Sequence, residues 1–331
     1  MRIARRGRAV AVAAIGGALA LAAAGCSGAK VGSTTAAGGS GSGKAACGTV
    51  NLADNPWVGY EADVAVVSYL AKTRLGCDVQ IKHITEQVSW QGFATGQVDA
   101  ILENWGHDAL KKQFITDQHA AQELGPDGLQ GVIGWYLPPW MAKAYPGITD
   151  WHNLDKYSHL FVTSESGGKG QLLDGDPSYV TNDAALVTNL HLDYKVVEGG
   201  SETALIESFR TAQAQHKPLL AYFYSPQWFL NEVPLVKVNL PKYTPGCDAV
   251  PSKVACDYPA YDLDKIVSSK FASAGGPAYK LIKNFQWTNA DQNTVAKWIA
   301  VDKMSDDAAA KKFLDANPRL AQQWLAGTGA S

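Results

Sequence analysis

No CxxC pair, no HExxH helix and no GxSxG elbow occurs in the 331 residues. The first two absences remove the common zinc-site spacings, and the third removes the serine nucleophile of the α/β-hydrolases. Excess basic charge is missing as well. The chain has 29 Lys and Arg against 31 Asp and Glu, and without Arg2, Arg5, Arg6 and Arg8 the balance is 25 against 31, near −6. No basic stripe remains for a nucleic acid, and a mildly acidic surface favours solubility. There is no internal repeat. The apolar run Ala9–Ala24 has about 16 residues, where a membrane-spanning helix needs about 20. A phosphate-loop match at Gly38–Lys44 has alanine where Ser or Thr belongs and no strand before it, so it is a chance match.

The N-terminus carries the first positive signal. Four arginines, the short apolar run and the small residues Ala23-Ala24-Gly25 make an export signal over residues 1–26. Cys26 directly follows the small residues, a placement that resembles a bacterial lipoprotein lipobox and assigns Cys26 to lipidation. Residues 27–46 are mostly Gly, Ser, Thr and Ala. They are expected to form a flexible linker with a reach of roughly 25 Å. The folded part would then stand outside the cytoplasmic membrane of a bacterial cell, held by a lipid anchor. Four further cysteines, Cys47, Cys77, Cys247 and Cys256, are an even number in an oxidising compartment. Three pairings exist; proximity in sequence favours Cys47–Cys77 and Cys247–Cys256.

From Gly48 the pattern alternates strand and helix. Strands are expected at Val50–Ala53, Val79–Ile84, Ala100–Leu102 and Gly131–Tyr136, with helices over Glu61–Leu75 and Gln91–Thr95. This βαβαβ order predicts a parallel sheet in an α/β fold. Pro138, Pro139, Pro146 and Gly147 mark a crossover to a second lobe, with strands at Leu160–Thr163, Lys195–Val197 and Leu219–Phe223 and helices at Asp183–Leu190 and Glu202–Ala214. The chain returns near Leu235, runs through an irregular stretch Pro241–Asp262, and closes with helices between Gly276 and Ala326. The expected division is 47–136 and 235–327 for lobe one and 137–234 for lobe two, joined by two crossovers, with a ligand cleft between them.

Ten Trp and 13 Tyr are the second signal, because several follow strand ends. Trp57, Trp90, Trp105, Tyr179, Tyr222 and Tyr224 all sit where a strand or helix meets the cleft, whereas Trp287, Trp298 and Trp324 on the terminal helices are assigned to the core. Trp135 and Trp140 flank the crossover and fit either place. A pocket walled by π-faces suits a cation that cannot donate a hydrogen bond, at about 0.5–2 kcal/mol per desolvated contact. Asp99 and Glu103 are the nearest carboxylate pair. They leave a secreted carbohydrate-active enzyme as an alternative, although both flank one strand and are assigned to structure.

Taken in order, several segments carry a resemblance. They are Leu75-Gly76-Cys77-Asp78-Val79, Trp90–Asp99, Glu103-Asn104-Trp105, Gly134–Pro138, Tyr145–Ile148 and Lys217–Pro226. Over Val50 to Ala326 the chain resembles the substrate-binding proteins of glycine betaine, proline betaine and choline ABC importers. The resemblance implies a two-lobed, type II periplasmic-binding-protein-like fold, no catalysis, no cofactor and no metal. It also implies a quaternary ammonium solute, glycine betaine or else choline or carnitine, delivered by a monomer to a permease with a cytoplasmic ATPase. Trp105 matches the cage tryptophan of the family. Tyr179 and Tyr224 fall where other members carry tryptophan, with Trp57 and Trp90 as further cage candidates. The family holds a ligand carboxylate with backbone amides and a histidine, which points to Val180, Thr181 and His107. Asp183, beside this anion site, would have to point away. Lobe closure would hinge at Leu137 and Leu235.

Overall fold

The computed structural model describes residues 47–330. The signal peptide, Cys26 and the 27–46 linker lie outside the described residues. Lobe one begins with β1 (Thr49–Asp54), α1 (Val58–Leu70), β2 (Asp78–His83), α2 (Glu86–Thr95), β3 (Ala100–Asn104) and α3 (Asp108–Lys111). Strands β2, β1 and β3 are parallel neighbours, the arrangement that the βαβαβ order dictates. Helix α1 starts at Val58, three residues before the expected Glu61, and is continued by a π-helical turn, Ala71–Leu75. Gly76 ends it at φ +70°, a left-handed cap that suits glycine.

The long strand β4 (Ala121–Leu137) leads into lobe two. There follow α4 (Pro139–Ala144), α5 (Leu154–Tyr157), β5 (Gly170–Asp174), α6 (Asp183–Asn189), β6 (Tyr194–Glu198), α7 (Glu202–Gln215), β7 (Ala221–Ser225) and β8 (Val236–Lys237). The chain returns through β9 (Ala260–Ser268) and closes with α8 (Ser269–Ala274), α9 (Pro277–Asn284), α10 (Asn289–Ala300), α11 (Asp306–Ala316) and α12 (Pro318–Trp324). The sheet order is β2-β1-β3-β9-β4-β7-β5-β6, with β8 also on β4. Strand β9 is antiparallel to β3 and β4, and β4 is antiparallel to β7 and β8, whereas β7 runs parallel to β5 and β5 to β6, so the sheet is mixed.

Two antiparallel strands therefore join the lobes. One end of β9 pairs with β3 through Ala100, Ile101 and Asn104, while β7 pairs with Val132–Tyr136 at the far end of β4. Between these ends the β4–β9 ladder shifts register twice, at Glu123/Gly125 and at Pro126/Gln130. Leu137 pairs with Val236 inside lobe two's sheet, so the expected crossovers at Leu137 and Leu235 fall within one sheet rather than between two.

Three other expectations are corrected. Leu160–Thr163 is not a strand: Ser158–Phe161 is a 3-10 turn, and Val162 makes a single bridge to Gly170. The strand is β5, whose polar Gly-Gln start hid it. Most of β4 was masked by Gly125, Pro126 and Gly128, which break the sequence pattern and coincide with the two register shifts, while the strand itself continues. Strand β9 runs through charged Asp264 and Lys265 because Lys265 points inward, donating to the carbonyls of Lys283 (3.1 Å) and Phe285. Burial depresses the Lys265 ammonium to about 8, against opposing pull from Asp127 and Asp63.

Disulfides join Cys47 to Cys77 and Cys247 to Cys256. Among the described residues no helix is long and apolar enough to cross a membrane. Trp287 and Trp324 are buried, Trp298 is partly buried beneath Lys312, and Trp135 lies in the core of lobe two, donating to Asp183 at 2.8 Å. The strand junction is pinned by the segment before α10. The Trp287 N–H donates to the Asp127 carbonyl at 3.0 Å, and Asn289 bonds Gln130 in both directions. Gly128 stands here at φ +95°, and an added Cβ would lie 2.4 Å from the Trp287 carbonyl oxygen. Gly128→Ala is therefore expected to destabilise by more than about 1 kcal/mol, measured as a fall in the denaturant midpoint.

Candidate functional site

A cavity of about 540 Å³ lies between the lobes, and four of the five expected cage residues line it: Trp57, Trp105, Tyr179 and Tyr224. The rings form a continuous chain. Trp57 meets Tyr179 edge-on at 5.8 Å, Tyr179 meets Tyr222 at 6.1 Å, and Tyr222 meets Tyr224 at 6.2 Å. Trp105 then lies 5.7 Å from both Tyr224 and Tyr261. The local sequence explains the placement. Trp57 and Trp105 follow the C-terminal ends of β1 and β3, and Tyr222 and Tyr224 alternate along β7 while Phe223 points the other way, onto Phe209 and Phe229. Burial holds the Tyr179, Tyr222 and Tyr224 hydroxyls well above their ordinary pKa, so all three rings stay neutral.

Trp90, the fifth expected cage residue, is elsewhere. It is fully buried on α2, packed against Phe93 and Phe114, because helix periodicity turns it under the lobe rather than into the cleft. Tyr222, read together with Tyr224 as ending a strand at the cleft, lines the cavity too. Tyr261 was missed, since its segment was taken for irregular chain. The Cys247–Cys256 loop also contributes to the wall with Asp248, and Tyr243 joins it from the segment just before.

Carboxylates stand behind the rings. A single oxygen of Glu103, Oε1, accepts the indole N–H of Trp57 at 2.8 Å and of Trp105 at 2.7 Å. Glu202 accepts from the Tyr224 hydroxyl and from Gln227 Nε2 (2.9 Å), and its other oxygen accepts the Val58 N–H of α1 at 3.0 Å. Trp57 at the α1 N-cap offers no side-chain cap, so a carboxylate from lobe two satisfies that helix end across the cleft. The Tyr179 hydroxyl crosses as well, donating to the Pro56 carbonyl at 3.1 Å. Asp99 accepts from the Asn51 backbone and side chain, and neither Asp99 nor Glu103 lines the cavity. The pair is structural, and the hydrolase alternative loses its acid and base.

The expected anion site is partly assembled. Val180 lines the cavity; Thr181 does not, and its hydroxyl donates to Asp174 at 2.8 Å. The N–H groups of Tyr179 and Asn182 are already used, by the Asp176 carbonyl and the Tyr258 hydroxyl, whereas those of Val180 and Thr181 have no partner among the described residues. Asp183 points away, into the core of lobe two, where it accepts from Trp135 and from Tyr258 (2.6 Å). Burial and the nearby Asp174 hold its carboxyl well above the usual range. His107 does line the cavity, in a left-handed backbone conformation (φ 54°), and its Nε2 bonds Glu86. The other charged wall residues are Glu86, Asp108 and Asp248; no Lys or Arg lines the cavity. Among the described residues no cluster of His, Cys, Asp and Glu is arranged for a metal ion.

Two α/β lobes joined by two strands, with an aromatic pocket between them, define a solute-binding protein. Residues 48–316 match the family model described as the substrate binding domain of ABC-type glycine betaine transport systems, and the chain belongs to that family. It is 26% identical over 258 residues to the trimethylamine N-oxide-binding protein of Pelagibacter ubique, covering 73% of this chain and 80% of that protein. It is 23% identical over 196 residues to the glycine betaine/carnitine transport binding protein GbuC of Listeria monocytogenes, covering 59% and 56%. Two solved structures share the fold. One is lactococcal OpuAC closed on glycine betaine, with a TM-score of 0.64, 21% identity and coverage of 84% of this chain and 99% of that one. The other is an ABC-transporter choline-binding protein with choline, with a TM-score of 0.71, 18% identity and coverage of 86% and 94%. The chain is thus a substrate-binding protein of the ABC-type glycine betaine transport family, not an enzyme, and such proteins work on the extracytoplasmic side of the membrane.

The His107–Glu86 contact gives this wall a pH dependence. Burial alone would lower the histidine, but the charge and hydrogen bond of Glu86 outweigh it and raise its pKa above the ordinary value. A raised folded pKa means stability that is fully present below the unfolded value and lost as pH rises through the folded one. The stability difference between the native chain and His107→Gln is expected to be larger at about pH 6 than at about pH 9. Denaturation at both pH values measures it.

Proposed function

We propose that the protein captures a quaternary ammonium solute, glycine betaine first, in the cage of Trp57, Trp105, Tyr179, Tyr222 and Tyr224. It closes its lobes on the solute and delivers it, as a monomer, to an ABC permease driven by a cytoplasmic ATPase. The continuous ring of aromatic faces carries this reading. A methylated cation has no hydrogen bond to give, so π-faces and buried negative charge replace its hydration without competition. For a betaine, the unpartnered N–H groups of Val180 and Thr181 supply donors for the carboxylate, and His107, bonded to Glu86, lines the same cavity. Choline is the second reading. It is favoured by the three wall carboxylates Glu86, Asp108 and Asp248 and by the lack of Lys or Arg there, a surrounding that suits a net cation with a hydroxyl.

Closure is assigned to the β4–β9 segment with its two register shifts, where Gly125–Gly131 face Tyr261–Lys265. The Glu202–Val58 and Tyr179–Pro56 bonds would form as the cleft shuts. Lipidation at Cys26 would tether the domain to the outer face of the membrane, and Cys26→Ser is expected to release the protein into the medium, detected by immunoblot of cells and supernatant.

Calorimetric titration with glycine betaine, choline and glycine tests the ligand. Saturable binding of a trimethylated ligand with none of glycine is expected; no heat with either trimethylated ligand would sink the quaternary-ammonium reading. Trp105→Ala should cost about 2 kcal/mol, roughly thirtyfold in affinity. Trp90→Phe should leave affinity within about twofold while lowering stability by about 1–2 kcal/mol.

A further inference from the structure

The family's ligand groups face the cavity; Glu103 does not, yet both cage tryptophans end on it. One oxygen holds two indole N–H groups that come from different strand ends, one after β1 and one after β3. The second oxygen accepts from Gln292 Nε2 of α10 at 2.5 Å, and Gln292 also reaches both oxygens of Asp63 on α1, at 3.3 Å each. Glu103 is therefore fixed from three elements and is almost wholly buried. An indole has two side-chain torsions, and a single shared acceptor removes the freedom of both rings at once.

We propose that Glu103 is the positioning residue of the cage, orienting the Trp57 and Trp105 rings together through one shared acceptor at their N–H edges. This rests on the quaternary-ammonium reading for its ligand but not for its geometry. Burial raises the carboxyls of both Glu103 and Asp63; at Glu103 the hydrogen bonds of Asp63, Trp57, Trp105 and Gln292 oppose the rise, while Asp63 lies well above the ordinary range. A hydrogen bond to a carboxylate draws electron density into the indole ring, and a cation over that ring gains from it.

The test uses the full chain, without ligand first. In ¹⁵N-labelled protein, Glu103→Gln should move the indole N–H resonances of Trp57 and Trp105 together and speed their exchange with water, leaving the other eight tryptophans in place. Two unmoved resonances overturn the proposal whatever the protein binds. With tetramethylammonium as probe, Glu103→Gln should weaken binding about tenfold. In a Trp57→Phe/Trp105→Phe background, which keeps the rings and removes the N–H donors, the same change should cost less than about twofold. An equal loss in both backgrounds, or none in the native one, refutes the role. If Glu103→Gln does not fold, Gln292→Met cuts the support and must shift the same two resonances; unshifted, they overturn the proposal. Failure of the native chain to bind tetramethylammonium would remove the proposed ligand class, while the indole resonances would still decide the geometry.

Discussion

A methylated ammonium of the kind proposed would give up its water on entering a closed cleft and receive no hydrogen bond in return, and the aromatic site fits that desolvation. Aromatic faces are one half of the fit. The other half is a pair of buried carboxyl groups at the ring edges: Glu103 at the two indole N–H groups and Glu202 at the Tyr224 hydroxyl. Such a carboxyl, unlike Glu86, Asp108 and Asp248 in the wall, is withdrawn from the cavity and partnered by ring donors. Set behind the rings and hydrogen-bonded by them, it acts through the ring and its own burial is compensated by the donors it fixes.

The same carboxylates bind the cage to the motion of the lobes. Glu202 stands on α7 in lobe two, holds a cage tyrosine with one oxygen and the first helical N–H of α1 in lobe one with the other. Helix α1 has no side-chain cap of its own. Glu202 therefore satisfies a helix end across the cleft, an end that the proposed opening would expose, and it is the same group that holds the Tyr224 hydroxyl. Trp57, next to that helix end, is both a wall of the cage and the ring that meets Tyr179 across the gap. The cavity wall and the lobe contacts thus meet at consecutive residues, Trp57 in the wall and Pro56 and Val58 in the contacts across the cleft.

Sequence pattern made the cage legible where strands were regular. Trp57, Trp105 and Tyr224 were found because each follows or ends a strand whose apolar run is plain, and strand ends in such folds face the cleft. Trp90 deceived because the helix was read as starting at Gln91; α2 begins at Glu86 and carries Trp90 within it, turned onto Phe93 and Phe114. Strand β9 was illegible because its inward residue is a lysine; a buried ammonium looks like a solvent face until the carbonyls of Lys283 and Phe285 appear around it. With β9 went Tyr261 and the true joint between the lobes. Glu103 was visible as half of a carboxylate pair, but nothing in a linear sequence brings two indoles to one oxygen.

The irregular stretch before β9 shows how a loop can serve as a wall. Tyr243 and Asp248 reach the cavity from a segment with no secondary structure beyond one short turn, where freedom of the backbone would blur any fixed geometry. Three constraints remove that freedom. Cys247 and Cys256 are bridged, Asp257 is paired with Lys237 of β8 at 2.6 Å, and the Tyr258 hydroxyl is held between Asn182 and Asp183. The last of these matters most for the ligand, because Asn182 and Asp183 follow directly on Val180 and Thr181. Tyr258 takes the Asn182 N–H and turns the Asp183 carboxyl into the core, which leaves two neighbouring amides without a partner and removes a repelling charge from beside them. The loop thus covers the cavity and also sets the electrostatics of its floor.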